Sequence, residues 1–224
     1  MSLPAVTQKA VVKALNQSFD AAEVASILDA LAELNSRSPS ARSASPNFNM
    51  YLPGRYYEPQ FTSVVNAATY QGVINRIDLS PFFTNEDVNI NEVALNTVIG
   101  VAATTARILI YDSTDAGWPD RKVVESAALS TATSSSVSTH SVDFKFKAGE
   151  LYWLGVHCSG APTLRGLRDY AVPSLGLIDA TASSGTVKGV GRVVTYGSAP
   201  ASWSFVEADL NASLTGPVVR FKVA

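Results

Sequence analysis

A thiol beside an imidazole is the pairing that covalent catalysis uses, and the chain has one such pair, His157 and Cys158. The surrounding run, Leu-Tyr-Trp-Leu-Gly-Val-His-Cys, is apolar at nearly every position and reads as a buried strand. Neighbours on a strand point to opposite faces, so the two groups cannot form a dyad. Cys158 is expected to be a buried structural residue, since a free cysteine packs as a small apolar side chain. A Gly-x-Ser-x-Gly turn, the other common home of a nucleophile, is absent.

Metal chemistry finds equally little support. The two histidines, His140 and His157, stand far apart and lack a paired cysteine, so no zinc ligand set can be assembled from the sequence. Asp87, Asn89 and Asn91 have the spacing that opens a calcium loop. Glu92 then stands where the loop needs glycine and Val98 where it needs a bidentate glutamate, while Val88 and Ile90 alternate as in a strand. Asp112 and Asp115 sit in a turn, where a carboxylate ordinarily caps local backbone N–H groups. Carboxylate neighbours such as Glu86 and Asp87 are what a glycosidase would need, but surface acids are the ordinary reading. No catalytic residue, metal or cofactor is therefore predicted.

Aromatic and basic residues in predicted loops are better candidates. Trp118 lies in the turn after the strand Arg-Ile-Leu-Ile-Tyr, and Arg165, Arg168 and Tyr170 follow the Leu151 strand. Flat rings and planar guanidinium groups stack on sugar faces or anchor protein interfaces, so these four are the predicted ligand contacts. Tyr51, Tyr56, Tyr57 and Phe61 form a second aromatic group further upstream.

The elements that would hold these residues are strands. From residue 51 onward, short alternating runs are separated by turn residues, without helical spacing. They comprise a run from Val73 that breaks at Pro81; Val88 to Ile99 with a bulge near Asn91; residues 106–111; Val123 and Val124; Val142 to Phe146; Leu151 to Cys158; 187–196; Trp203 to Val206; and Val218 to Val223. Residues 130–136 form a polar serine and threonine tract. About nine strands with no intervening helices predict two packed antiparallel sheets, a jelly-roll-like β-sandwich over residues 51–224. The strand at 106–111 is expected beside the Leu151 strand, which lies centrally because both its faces are apolar.

Residues 1–34 carry helical patterns instead. Asp20 with Glu23 makes a capping box, Phe19 and Val24 make a hydrophobic staple, and Val24, Ile27, Leu28, Leu31 and Leu34 follow at helical spacing. A unit this small cannot bury enough surface to stand alone, so the stripe is a predicted anchor or oligomer interface. Residues 35–50 are rich in serine with two prolines, the composition of an extended linker.

With 17 basic and 19 acidic residues the formal net charge is -2, and no basic block marks a nucleic-acid surface. A single cysteine excludes an intrachain disulfide. Neither a secretion signal nor an apolar run long enough to span a membrane is expected.

Two segments together resemble a β domain of tailed-bacteriophage virion structural proteins of the fibre, spike or head-decoration type. They are residues 106–119, with Arg-Ile-Leu-Ile-Tyr-Asp leading to Gly-Trp-Pro, and residues 148–165, with Gly-Glu-Leu-Tyr-Trp-Leu leading to Ala-Pro-Thr-Leu-Arg. The resemblance covers about residues 70–178. It implies a virion protein made in the bacterial host cytoplasm, bound to other capsid or tail proteins, self-associating as a homotrimer, and in some members attaching to host-surface polysaccharide. No catalytic residue is carried over by these motifs. The expectation is a particle-anchored fibre or spike with an exposed β domain. A head-decoration cement without a receptor role, or a carbohydrate-active enzyme on the same scaffold, are the alternatives.

Overall fold

The computed structural model describes residues 51–58, 68–167, 189–211 and 216–224. The predicted helical stripe, Val24 to Leu34, and the linker at 35–50 lie outside the described residues, which all belong to one unit, Asn49–Ala224.

The described residues form two seven-stranded antiparallel sheets. Their strands in chain order are β1 (Tyr56–Tyr57), β2 (Ala68–Gln71), β3 (Arg76–Phe83), β4 (Val88–Ile99), β5 (Thr105–Ser113), β6 (Pro119–Glu125), β7 (Leu129–Ser130), β8 (Ser136–Phe146), β9 (Leu151–Cys158), β10 (Thr163–Leu167), β11 (Gly189–Val193), β12 (Leu210–Asn211), β13 (Gly216–Pro217) and β14 (Val219–Val223). In the first sheet β4 is the long central strand, with β8 along one side and β14 and β10 end to end along the other; β1, β2 and β13 complete it. The second sheet runs β12, β11, β3, β9, β5, β6, with β7 also on β5. β9 thus lies between β3 and β5, and the strand at Ala106 pairs with it directly.

Alternation explains how the sheets meet. Val219, Phe221 and Val223 of β14, with Val93 and Leu95 of β4, point toward Ile108, Ile110, Leu154 and Val156 of the second sheet, and these make the main core. Phe82, Phe146 and Phe221 close one end, with ring centroids 5.1 to 5.4 Å apart. The register of β4 slips between Ile90 and Glu92 against both neighbours, so its inward set changes from Val88 and Ile90 to Val93 and Leu95. That is the predicted bulge near Asn91.

Three sequence expectations are corrected. Pro81 does not end its strand: β3 continues to Phe83, with Pro81 opposite Trp153. The proline is tolerated because β11 covers β3 only from Arg76 to Leu79, leaving the other edge at Pro81 without a ladder to lose. Trp203 to Val206 are not a strand but part of a strap described below. Strand β8 begins at Ser136, upstream of the expected start at Val142; pairing of Ser136 to Ser141 with Glu92 to Thr97 of β4 overrides their weak apolar pattern.

The outer face of the second sheet is itself apolar, with Ile77, Leu79, Leu109, Tyr111 and Trp153 forming a second cluster. Residues 194–209 cross it as a strap. Val194 N–H donates to Asn75 O (2.7 Å), Tyr111 Oη to Pro200 O (2.7 Å) and Trp203 N–H to Asp120 O (2.6 Å), while the Trp203 ring plugs the cluster edge-on to Tyr111. Asp209 closes the strap. Its carboxylate accepts from Arg192 Nε (2.9 Å), Trp203 Nε1 and Val206 N–H (both 3.1 Å), and the Arg192 guanidinium lies 4.5 Å above the Trp203 ring.

His157 sits beneath this strap, fully buried, with its ring 5.0 Å from that of Tyr196. Its Nε2 lies 3.0 Å from Val194 O, a carbonyl that can only accept, so Nε2 carries the proton and Nδ1 does not. Burial lowers the His157 pKa, outweighing the opposing Val194 bond. Burial also disfavours the Asp209 carboxylate, yet the Arg192, Val206 and Trp203 donors together hold its pKa below the usual carboxylate range.

Depressed pKa values in the fold stabilise it above the unfolded pKa and lose that contribution as pH falls. Unfolding free energy from urea titration should therefore drop first below about pH 6.5, the unfolded imidazole value, and again below about pH 4. His157→Gln should remove the first step, and Asp209→Asn should shrink the second, to which Asp87 and Glu125 also contribute, while lowering stability at neutral pH. A second outcome concerns Gly155, where an added Cβ would lie 1.9 Å from the backbone oxygen of Asp78. Since backbone cannot move aside as a side chain can, Gly155→Ala should destabilise by about 1–3 kcal/mol or more in the same titration.

Candidate functional site

The strap covers one outer face of the molecule, and the outer face of the first sheet carries a groove. It follows from alternation in three strands. In β14, Val-Arg-Phe-Lys-Val, the apolar residues face the core and Arg220 and Lys222 face outward. In β1, Tyr57 packs inward near Tyr51 and Phe221, with ring centroids 4.9 and 6.2 Å away, so Tyr56 faces outward. In β4, Ala94 provides a floor with only a methyl group. The groove of about 390 Å³ is lined by Tyr56, Tyr57, Glu58, Ala94, Val137 and Arg220. Its size falls at the small end of ligand sites.

Its polar groups are arranged in pairs. Arg220 Nε donates to Glu58 Oε1 at 2.7 Å, and Arg220 Nη2 lies 2.5 Å from the same oxygen. The Tyr56 hydroxyl donates to Glu92, and the Lys222 ammonium lies 5.7 Å from the Tyr56 ring centroid. Two cations, Arg220 and Lys222, therefore face two carboxylates, Glu58 and Glu92. This balanced field favours a neutral ligand rich in hydroxyls, which can accept from guanidinium and donate to carboxylate while a flat face rests on tyrosine.

The predicted contacts do not come together. Trp118 stands in the β5–β6 turn of the second sheet, half-buried, with its ring stacked on Phe205 of the strap at 3.9 Å and 5°. Its backbone closes the turn: Thr114 N–H donates to Trp118 O (2.8 Å), and Gly117 provides the positive φ (84°) the reversal needs. Arg165 lies half-buried on β10 in the first sheet, where its carbonyl accepts from Val218 N–H (3.0 Å). Arg168 and Tyr170 lie outside the described residues.

Other chemistry-bearing groups serve local structure. Cys158 faces the main core, on the side of β9 opposite His157, and burial followed by the charge of Asp78 raises its thiol pKa to about 12. Asp112 accepts from the Arg121 backbone (2.8 Å) and guanidinium (2.7 Å), and Asp87 accepts from Ala148 N–H (3.0 Å) and pairs with Lys145 (2.6 Å). Among the described residues, no three His, Cys, Asp or Glu side chains converge as a metal site would need.

Tyr56 and Tyr57 were visible in the sequence as aromatics, but Glu58, Ala94, Val137 and Arg220 were not singled out. The signal for Arg220 was the Val-Arg-Phe-Lys-Val alternation; nothing in the sequence marked Ala94 as a floor. Because the Arg220–Glu58 pair is partly solvated, with 26% and 27% of the side chains exposed, Arg220→Gln should cost less than about 1 kcal/mol in urea unfolding. The groove can then be altered while the fold is retained. Compared with protein-family models and with curated proteins, the chain matches none.

Proposed function

We propose that this chain is a non-enzymatic structural protein of a tailed-bacteriophage virion, a particle-anchored fibre or spike whose β domain engages a host-surface glycan. The observation that carries the binding part is the groove on the first sheet, with a tyrosine platform, a small floor and charges balanced between Arg220, Lys222, Glu58 and Glu92. Aromatic faces stack on the apolar side of sugar rings, and paired carboxylate and guanidinium groups exchange hydrogen bonds with sugar hydroxyls at little desolvation cost because they stay partly wet. The virion assignment is supported by the resemblance of residues 106–119 and 148–165. Two antiparallel sheets joined through a shared core are compatible with a jelly-roll-like sandwich. In this reading residues 1–34 form the helical anchor and 35–50 the tether.

The binding test is a panel of bacterial surface polysaccharides applied to the full chain and to Tyr56→Ala and Ala94→Phe. Retained glycan should fall at least tenfold in both variants, the first losing the platform and the second filling the floor. Unchanged retention would sink the groove, and shortening of the polysaccharide by the protein would replace the non-enzymatic reading. For the anchor, deletion of residues 1–34 should abolish incorporation into particles, measured by quantitative electrophoresis of purified virions. Incorporation at normal level would overturn it, and dense coverage of the head without glycan binding would make the protein a capsid cement.

A further inference from the structure

The edges of the two sheets are treated unequally. Among the described residues β1, β12 and β13 have two residues each and β2 has four, too short to template another strand. Strand β6 is covered by the strap through Lys122 N–H to Ala201 O (2.9 Å) and the Arg121–Ser202 bridge. Strand β8 differs: it has 11 residues and, among the described residues, pairs only with β4. No described strand or backbone hydrogen bond takes up its far edge, which carries the alternating donors and acceptors of a strand.

The two halves of β8 are built differently. Beyond Ser141 the register slips by a bulge opposite Asn91, and Asp143 and Lys145 project outward. Bulges and charges are the devices that keep an edge unpaired. Ser136 to Ser141 has neither. It runs in unbroken register with Glu92 to Thr97 and carries only small polar and β-branched side chains and His140, with Val137 55% exposed beside the groove.

We infer that Ser136 to Val142 of β8 pairs antiparallel with the same segment of a second copy of this chain, about a two-fold axis through Thr139. That register sets Thr139 against Thr139, Val137 against Ser141, Ser138 against His140 and Ser136 against Val142. Outward residues then face outward residues, inward face inward, and no charged side chain meets another. The register ends on Val142, the first residue of the bulge, so Asp143 and Lys145 delimit the contact instead of opposing it. A second copy is the occupant because the segment tolerates itself: Thr139 meets Thr139, the other pairs set a serine against Val137, His140 or Val142, and no like charges are opposed. The contact joins two first sheets into one continuous sheet and covers Val137 at the groove wall. It produces pairs, and rests on neither the virion reading nor a trimeric bundle of residues 1–34.

The test uses the full chain. Molar mass from light scattering should rise to the dimer with concentration, and Thr139→Lys, an exposed substitution, should raise the concentration for dimerisation at least tenfold. Thr139→Cys should form a disulfide-linked dimer on mild oxidation, since its two copies face each other across the axis. Ser141→Cys alone should not, whereas mixed with Val137→Cys it should. Cys158, buried and with a raised pKa, should contribute no cross-link. A monomer at every concentration, an oligomer indifferent to Thr139→Lys, or cross-linking of Ser141→Cys as readily as Thr139→Cys would each overturn the inference.

Discussion

A strand that is apolar on both faces has to be covered on both faces, and in this protein that strand is β9. Tyr152, Leu154, Val156 and Cys158 complete the core between the sheets, while Trp153 and His157 point the other way. The first requirement is met by the opposing sheet. The second is met by the strap, which lays Trp203 and Ala199 over the outer cluster and is fastened by Asp209, Arg192 and the Asp120 and Pro200 carbonyls. Gly155 belongs to the same constraint, because a strand flanked on both sides must let the β3 backbone approach without a side chain in the way.

Covering one outer face decides where recognition can occur. The turn carrying Trp118 is drawn into the strap, with the indole stacked on Phe205, so the tryptophan that looks most like a sugar platform in the sequence has one face occupied. Among the described residues no comparable strap crosses the first sheet at Tyr56, Arg220 and Val137, and its outward side chains are polar enough to stay wet. Arg220 pairs there with Glu58 and the Glu92 carboxylate accepts from Tyr56, while Lys222 lies beside the Tyr56 ring, so two cations and two carboxylates leave no strong net field. The edge half of β8 at the rim of this face follows the same economy of small uncharged side chains.

Much of the fold was legible because strand alternation is local. The inward set of β14, the bulge in β4 and the double-sided burial of β9 all follow from side chains within a few residues of each other. Where expectation and structure part, the cause is a neighbour distant in sequence. Pro81 survives inside β3 because β11 stops short of it. Ser136 to Ser141 become strand because β4 offers a ladder. Trp203 to Val206 have a strand-like pattern but are spent on plugging an exposed cluster, with the Trp203 ring edge-on to Tyr111.

By itself the sequence determined the class of the fold: short-period alternation without helical spacing beyond residue 51 can only bury its apolar residues as sheets, and the identity of the core residues follows from their parity along each strand. It also determined that His157 and Cys158 diverge, since adjacent residues on a strand face opposite sides. Only the tertiary structure decided which face stays open and which residues gather there. Tyr56, Glu58, Ala94, Val137 and Arg220 come from four separate stretches of chain, and their meeting depends on the pairing order β8, β4, β14, β1. Strand order is set by long-range registry and by the strap that closes the opposite face, and neither leaves a periodic mark in a single chain.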